Sequence, residues 1–128
     1  MANVPQDLKY TSKHEYLKPS GDDGVFYVGI TDYAQGELGD IVFVELPSPG
    51  ARFDAGAPFG TIEAVKAVSD LYMPVAGEVV EANGALDANP AAINSDPYGD
   101  GWMIKVRADD PAAVDGLLDA AGYQALIG

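Results

Sequence analysis

The chain contains no cysteine and only one histidine. The first absence removes disulfides, thiol nucleophiles and cysteine-based metal sites, so any redox work would have to come from a cofactor. The second excludes a metal held by several imidazoles, and a His-based triad would have to be built around His14. Basic side chains are also scarce, 7 against 20 acidic ones, for a formal net charge of −13. Such a chain repels phosphate backbones and anionic lipid, which argues against nucleic acid and membrane partners. The acids are scattered through the loops, as on a well-solvated surface, and the competing reading is a docking face for basic partners. No run is long and apolar enough to span a bilayer. Met1-Ala2-Asn3-Val4-Pro5-Gln6-Asp7 lacks the basic, apolar and small-residue regions of a leader, so a cytoplasmic protein without signal or transit peptide is expected.

What is present is 128 residues, 48% of them hydrophobic, enough for one domain with its own core. Short strands are expected around Tyr10-Thr11 and Glu15–Leu17, then over Val25–Ile30 after a turn at 20–24. Thr31 or Asp32 caps a short helix that Gly39 ends. Ile41–Val44 is apolar throughout, as in a strand covered on both faces, and 47–50 turns the chain. Pro58–Ile62, Val68–Met73 and Gly77–Ala82 read as strands, and Asn83-Gly84 as a tight turn. Pro90–Ile93 makes a helical turn before a strand over Trp102–Val106. In the tail, Asp109-Asp110-Pro111 opens a helix carrying Val114, Leu117, Leu118 and Ala121, and Gly122 separates a last helix with Tyr123, Leu126 and Ile127. Many short strands with Gly- and Pro-rich turns argue for a small barrel or sandwich.

Lys66 stands out within Glu63-Ala64-Val65-Lys66-Ala67-Val68-Ser69-Asp70. It lies between two runs of β-formers, among small and β-branched residues, which places it at a hairpin tip. Pro74 and Gly77 constrain the return strand, since proline cannot donate to a ladder and glycine permits a bend. A lysine that forms a Schiff base needs a lowered pKa, whereas Glu63 and Asp70 favour its charged form. His14 has no nucleophile beside it in sequence and reads as a structural residue. The loop from Asn94 to Gly101 has a calcium-like spacing, but Tyr98 and Lys105 stand where ligands are needed, so it reads as a turn with no metal. Tyr98 and Trp102 read as core anchors.

At Lys66 the sequence resembles the biotinyl/lipoyl attachment domains, whose acceptor lysine sits on an exposed hairpin turn with a Pro-x-x-Gly element behind it. Further motifs extend the likeness: His14-Glu15-Tyr16, Gly29–Gln35, Leu38-Gly39-Asp40, Phe43–Pro47, Asn94–Trp102, Leu117-Leu118 and Gly122-Tyr123. Together they are similar, nearly end to end, to the H-protein family of the glycine cleavage system. Tyr16 stands where that family commonly has Trp, and Ala64 where it has Ser. Biotin acceptors usually carry Met on both sides of the lysine, and here the neighbours are Val65 and Ala67, which favours lipoate.

The resemblance implies a mainly β barrel-sandwich hybrid, a flattened sandwich with short helices. It implies one domain over residues 1–128, with a lipoyl-type core over 22–107 and a C-terminal helical segment over 110–127. It further implies lipoate in amide linkage to Lys66, with Glu63, Val65 and Ala67 as its immediate context. The implied role is a non-catalytic, monomeric carrier. It would take the aminomethyl group from the pyridoxal-phosphate glycine decarboxylase (P protein) to the tetrahydrofolate-dependent aminomethyltransferase (T protein), with reoxidation by dihydrolipoamide dehydrogenase (L protein). A lipoate-attaching enzyme would modify it. Glu15 and Asp70, with Ser69, are the positions implied to shield the cationic end of the loaded arm. An H-like lipoyl relay protein, or a lipoyl or biotinyl carrier domain of another complex, is the alternative.

Overall fold

The computed structural model describes residues 3–127. Its larger sheet begins with β1 (Lys9–Tyr10), β2 (Glu15–Pro19) and β3 (Val25–Ile30), a meander in which Leu17 and Val28 pair and turn their side chains inward. Gly21 and Gly24 hold positive φ in the intervening turn. Thr31 then caps α1 (Asp32–Leu38), its hydroxyl accepting from the Ala34 N–H at 3.2 Å. Gly39 ends α1 at φ 83 and ψ −156, a conformation open only to glycine.

β4 (Ile41–Glu45), β5 (Arg52–Phe53), β6 (Pro58–Ala64), β7 (Val68–Tyr72) and β8 (Gly77–Ala82) follow. Two single-turn helices, α2 (Ala85–Ala88) and α3 (Ala92–Ser95), lead to β9 (Ile104–Ala108). The chain closes with α4 (Ala112–Asp115) and α5 (Ala120–Ile127). Six strands form one antiparallel sheet in the order β1-β2-β3-β9-β8-β5, and three form a second, β4-β6-β7. The two make a flattened sandwich, with Leu17, Val28, Ile62, Leu71, Ile104 and Val106 in the core between them. A smaller cluster joins the chain's two ends: Leu8, Tyr10 and Tyr16 pack against Ala120 and Tyr123, and the Tyr10 and Tyr123 rings stack at 4.7 Å. Among the described residues no helix is long and apolar enough to cross a membrane.

Several elements differ from the sequence expectations. β4 is not covered on both faces: Val42 and Phe43 are exposed while Ile41 and Val44 are buried, because a bulge between Ile41 and Phe43 turns an extra residue outward. Asn83-Gly84 makes no hairpin turn but starts α2. The Asn83 side chain accepts from the Ala85 N–H and donates to the Asp100 and Trp102 carbonyls, which tethers a helical turn there. The last strand starts two residues later than expected, at Ile104. The tail breaks at 116–119, where Leu118 bridges to Tyr10, and Gly122 lies inside α5. The reason is a cap: the Asp119 carboxylate accepts from the Gly122 N–H at 2.8 Å, which starts the helix at a residue that a glycine otherwise weakens. Tyr98 and Trp102 are half-buried and not full core anchors. The Tyr98 hydroxyl bonds the Asp32 N–H and the Asn3 carbonyl, and Trp102 lies edge-on to the Tyr27 ring.

Candidate functional site

The β6–β7 hairpin closes at the Glu63–Val68 pair, and the Ala64 N–H donates to the Ala67 carbonyl at 2.7 Å. Val65 and Lys66 form the tip and are exposed, with Val65 at 76% of its full exposure. Ala64 is buried beneath the turn, so the small side chain at that position is needed for packing. The turn is also held from the side. Asp40 offers its carbonyl to the Val65 N–H at 3.0 Å, and the Lys66 side chain lies across Gly39, where a Cβ would stand 3.3 Å from Lys66 Cε.

Asn94 fixes that supporting loop, a role to which nothing in the sequence pattern points beyond its place in a turn-rich segment. Its amide donates to the Gly39 carbonyl and to the Gln35 side chain, each at 2.9 Å, and its carbonyl accepts from the Ile41 N–H at 2.9 Å. Three bonds from one half-buried amide thus position residues 39–41, which in turn position Val65.

A cleft of about 310 Å³ opens beside the hairpin, between α1, the turn before β2 and the edge strand β7. Leu38, one residue before the glycine that Lys66 crosses, is in its wall, so the cleft begins next to the lysine. Glu15, Ser69 and Asp70 are brought together around it, with Lys13, His14 and Glu37. Register distinguishes Ser69 from Asp70. Ser69 pairs with buried Ile62 and shares the inward row, whereas Asp70 pairs with Thr61 on the opposite face and borders the cleft from the strand edge.

Glu15 is only 2% exposed. Its carboxylate accepts from the Thr11 hydroxyl at 2.7 Å and from the Tyr72 N–H at 3.4 Å, so it ties the N-terminal turn to β7. Burial pushes its pKa up to about 7, against the opposing pull of these hydrogen bonds and of Lys13. His14 has φ 70, and its Nδ1 meets the Tyr123 hydroxyl at 2.8 Å, which in turn meets the Thr31 hydroxyl at 2.7 Å. Burial lowers its pKa, which favours a neutral ring in a structural network between the chain's two ends. Tyr16 is fully buried with its hydroxyl on the Pro97 carbonyl, and its ring lies on Gly29, where a Cβ would come within 2.8 Å of the hydroxyl.

An exposed lysine on the turn of a β-hairpin, on a flattened sandwich of two antiparallel sheets, is the arrangement of a biotinyl/lipoyl-type attachment domain. Residues 8–128 match the family described as glycine cleavage H-protein. The chain is 58% identical over 125 residues to the glycine cleavage system H protein of Bacteroides fragilis, covering 98% of each. It is 56% identical over 126 residues to that of Chlorobium limicola, again covering 98% of each. The crystal structure of a glycine cleavage system H protein from Mycobacterium marinum superposes with a TM-score of 0.87 at 42% identity, covering 98% of this chain and 99% of that one. The chain belongs to the glycine cleavage H-protein family.

Proposed function

We propose that this chain is a lipoyl-bearing carrier of glycine cleavage, modified at Lys66 and itself without catalytic activity, working as one domain in a bacterial cytoplasm. The observation that carries the reading is Lys66 at the exposed tip of a hairpin braced by Asp40 and Gly39, in a chain of this family. The donor chemistry fits the group: a primary amine accepts an acyl chain as an amide, and an exposed tip leaves the chain free to move. When bound, lipoate supplies a dithiolane that accepts electrons and carries the aminomethyl group. Glu63, Val65 and Ala67 frame the amine. The rigid sandwich keeps the tether's root fixed, so that tethering raises the effective concentration of cargo at the decarboxylase, the aminomethyltransferase and the dehydrogenase in turn. Glu15 supplies the cleft with a buried carboxylate, and Ser69 and Asp70 its polar border, suited to a cationic amino group through a charge-assisted hydrogen bond.

Intact mass and peptide mapping of the protein from its native host test this. A lipoyl increment is expected on Lys66 and on none of Lys9, Lys13, Lys18 or Lys105. Biotin on Lys66, or lipoate elsewhere, overturns the reading. Lys66→Arg should abolish carrier activity with less than about 0.5 kcal/mol lost in stability, as for any exposed position.

A further inference from the structure

Apolar side chains are not spread evenly over the surface of this acidic chain. Among the described residues the large exposed ones are Val42, Phe43, Val65, Val68 and Leu126. Leu126 is on α5; the other four surround Lys66. The register explains why they meet: Phe43, Glu63 and Val68 are paired across β4, β6 and β7 and share the outer face of the smaller sheet. The bulge after Ile41 adds Val42 to that face, and Val65 stands at the adjoining tip. The next row back is Glu45, Thr61 and Asp70. The face is therefore an apolar strip at the hairpin end with carboxylates within and behind it. Lys66 is the only basic residue in β4, β6, β7 or the turn.

We propose that this strip, formed by Val42, Phe43, Val65 and Val68, is the seat of the enzyme that acylates Lys66, and that the complementary surface is an apolar patch rimmed by Lys or Arg side chains. The inference rests on the lipoyl reading above and names one partner of the same site. Reach selects that partner. An enzyme that acylates the amine must bring its reacting carbonyl to Nζ, only about 6 Å from the Lys66 Cα by standard bond lengths. Its surface must then cover the side chains around the turn. Enzymes served by the acylated arm meet it at the far end, about twice as far from the backbone or more, and have no such need to cover the strip. Phe43 and Val42 are about half exposed and Val65 and Val68 more so, which leaves apolar surface uncovered beside a charged lysine in the free chain. A contiguous apolar patch with a polar rim is the usual mark of a contact surface. The acidic row supplies the charge that would orient a basic rim.

The test uses the full-length chain with its lipoate-attaching enzyme and acyl donor, following the kcat/KM for acylation of Lys66. Phe43→Thr and Val68→Thr keep β-forming side chains at exposed sites, and each is expected to lower kcat/KM about tenfold, the loss typical of a central contact residue. Leu126→Gln, outside the strip, should leave it unchanged. Glu45→Lys should lower it several-fold, by an amount that shrinks as salt is added. Each variant is then isolated in fully lipoylated form, and reoxidation of its reduced arm by dihydrolipoamide dehydrogenase should match the parent. Unchanged acylation in the Phe43 and Val68 variants overturns the proposal. Equal losses in acylation and reoxidation also overturn it, since the strip would then serve any partner. Unfolding midpoints near that of the parent exclude a folding defect, and Val68→Thr, nearly isosteric, stands if Phe43→Thr fails that check. A parent chain that takes no acyl group on Lys66 overturns the lipoyl reading itself, and this proposal with it.

Discussion

Glu15 combines an unfavourable position with a useful one. A carboxylate that titrates near 7 when folded and near 4.5 when not binds its proton more tightly in the folded chain. Its contribution to stability is therefore fully present below about pH 4.5 and is lost as pH rises through about 7. The difference is on the order of 3 kcal/mol at neutral pH and above. Glu15→Gln keeps the shape and can still accept a hydrogen bond, but removes the charge. Chemical denaturation from pH 4 to 8 should show the variant gaining on the parent as pH rises, and levelling above about pH 7. On the cargo-shielding role proposed for the cleft, the same variant should lose aminomethyl cargo faster than the parent, because a cationic amino group there would lose its counter-charge. A variant equally stable at every pH, with unchanged cargo lifetime, would leave Glu15 as a packing residue. The family likeness named Glu15 and Asp70, but not Glu37, which also lines the cleft, nor the inequality of the first two. Twenty acids look alike in sequence; only burial, with Glu15 2% exposed and Asp70 exposed, sets the two apart.

At the scale of elements, local signals were legible where a single residue type decides the outcome. Thr31 caps, Gly39 stops, and the Lys66 hairpin follows from β-formers on either side of a short turn. The misses lie where a long-range contact decides. Gly122 sits within a helix because Asp119 caps it, and Leu118 leaves the helical run because it bridges to Tyr10, more than a hundred positions away. Val42 and Phe43 face outward because of a bulge that hydrophobicity alone conceals. The bracing of the hairpin by Asn94 is another long-range effect, and it can be tested. Asn94→Ala removes three hydrogen bonds and leaves the Gly39 carbonyl and Ile41 N–H without that partner, which should cost about 1–3 kcal/mol. The loop at 39–41 carries the carbonyl that holds Val65, so the Val65 amide should exchange with deuterium faster than in the parent, by more than the global loss of stability accounts for. Exchange that merely tracks global unfolding would show that Asn94 stabilises the fold without bracing the turn.

For the whole molecule, the placement of the few cations matters more than their number. Arg52 meets Asp109 at 2.6 Å and lies 3.8 Å from Glu78, Arg107 approaches Glu78 at 4.0 Å, and Lys105 meets Glu81 at 3.4 Å. All of these are on or beside β5, β8 and β9, in the larger sheet, away from the lysine hairpin. Within the smaller sheet and its turn Lys66 is the only basic residue, with Lys13 facing β7 from the N-terminal segment. The proposed acylation would remove the Lys66 charge and leave the carrier one unit more negative than the bare chain. A shuttle that serves several enzymes must leave each quickly, so affinity from tight contacts is a disadvantage, whereas a long-range field speeds arrival without slowing release. Electrostatic steering is screened by salt, over a Debye length of about 30 Å at 0.01 M and about 8 Å at 0.15 M ionic strength. The kcat/KM for reoxidation of the reduced carrier, measured with carrier well below saturation, should therefore fall on the order of tenfold between those two salt concentrations, with kcat little changed. A kcat/KM indifferent to salt would reduce the charge of −13 to a matter of solubility.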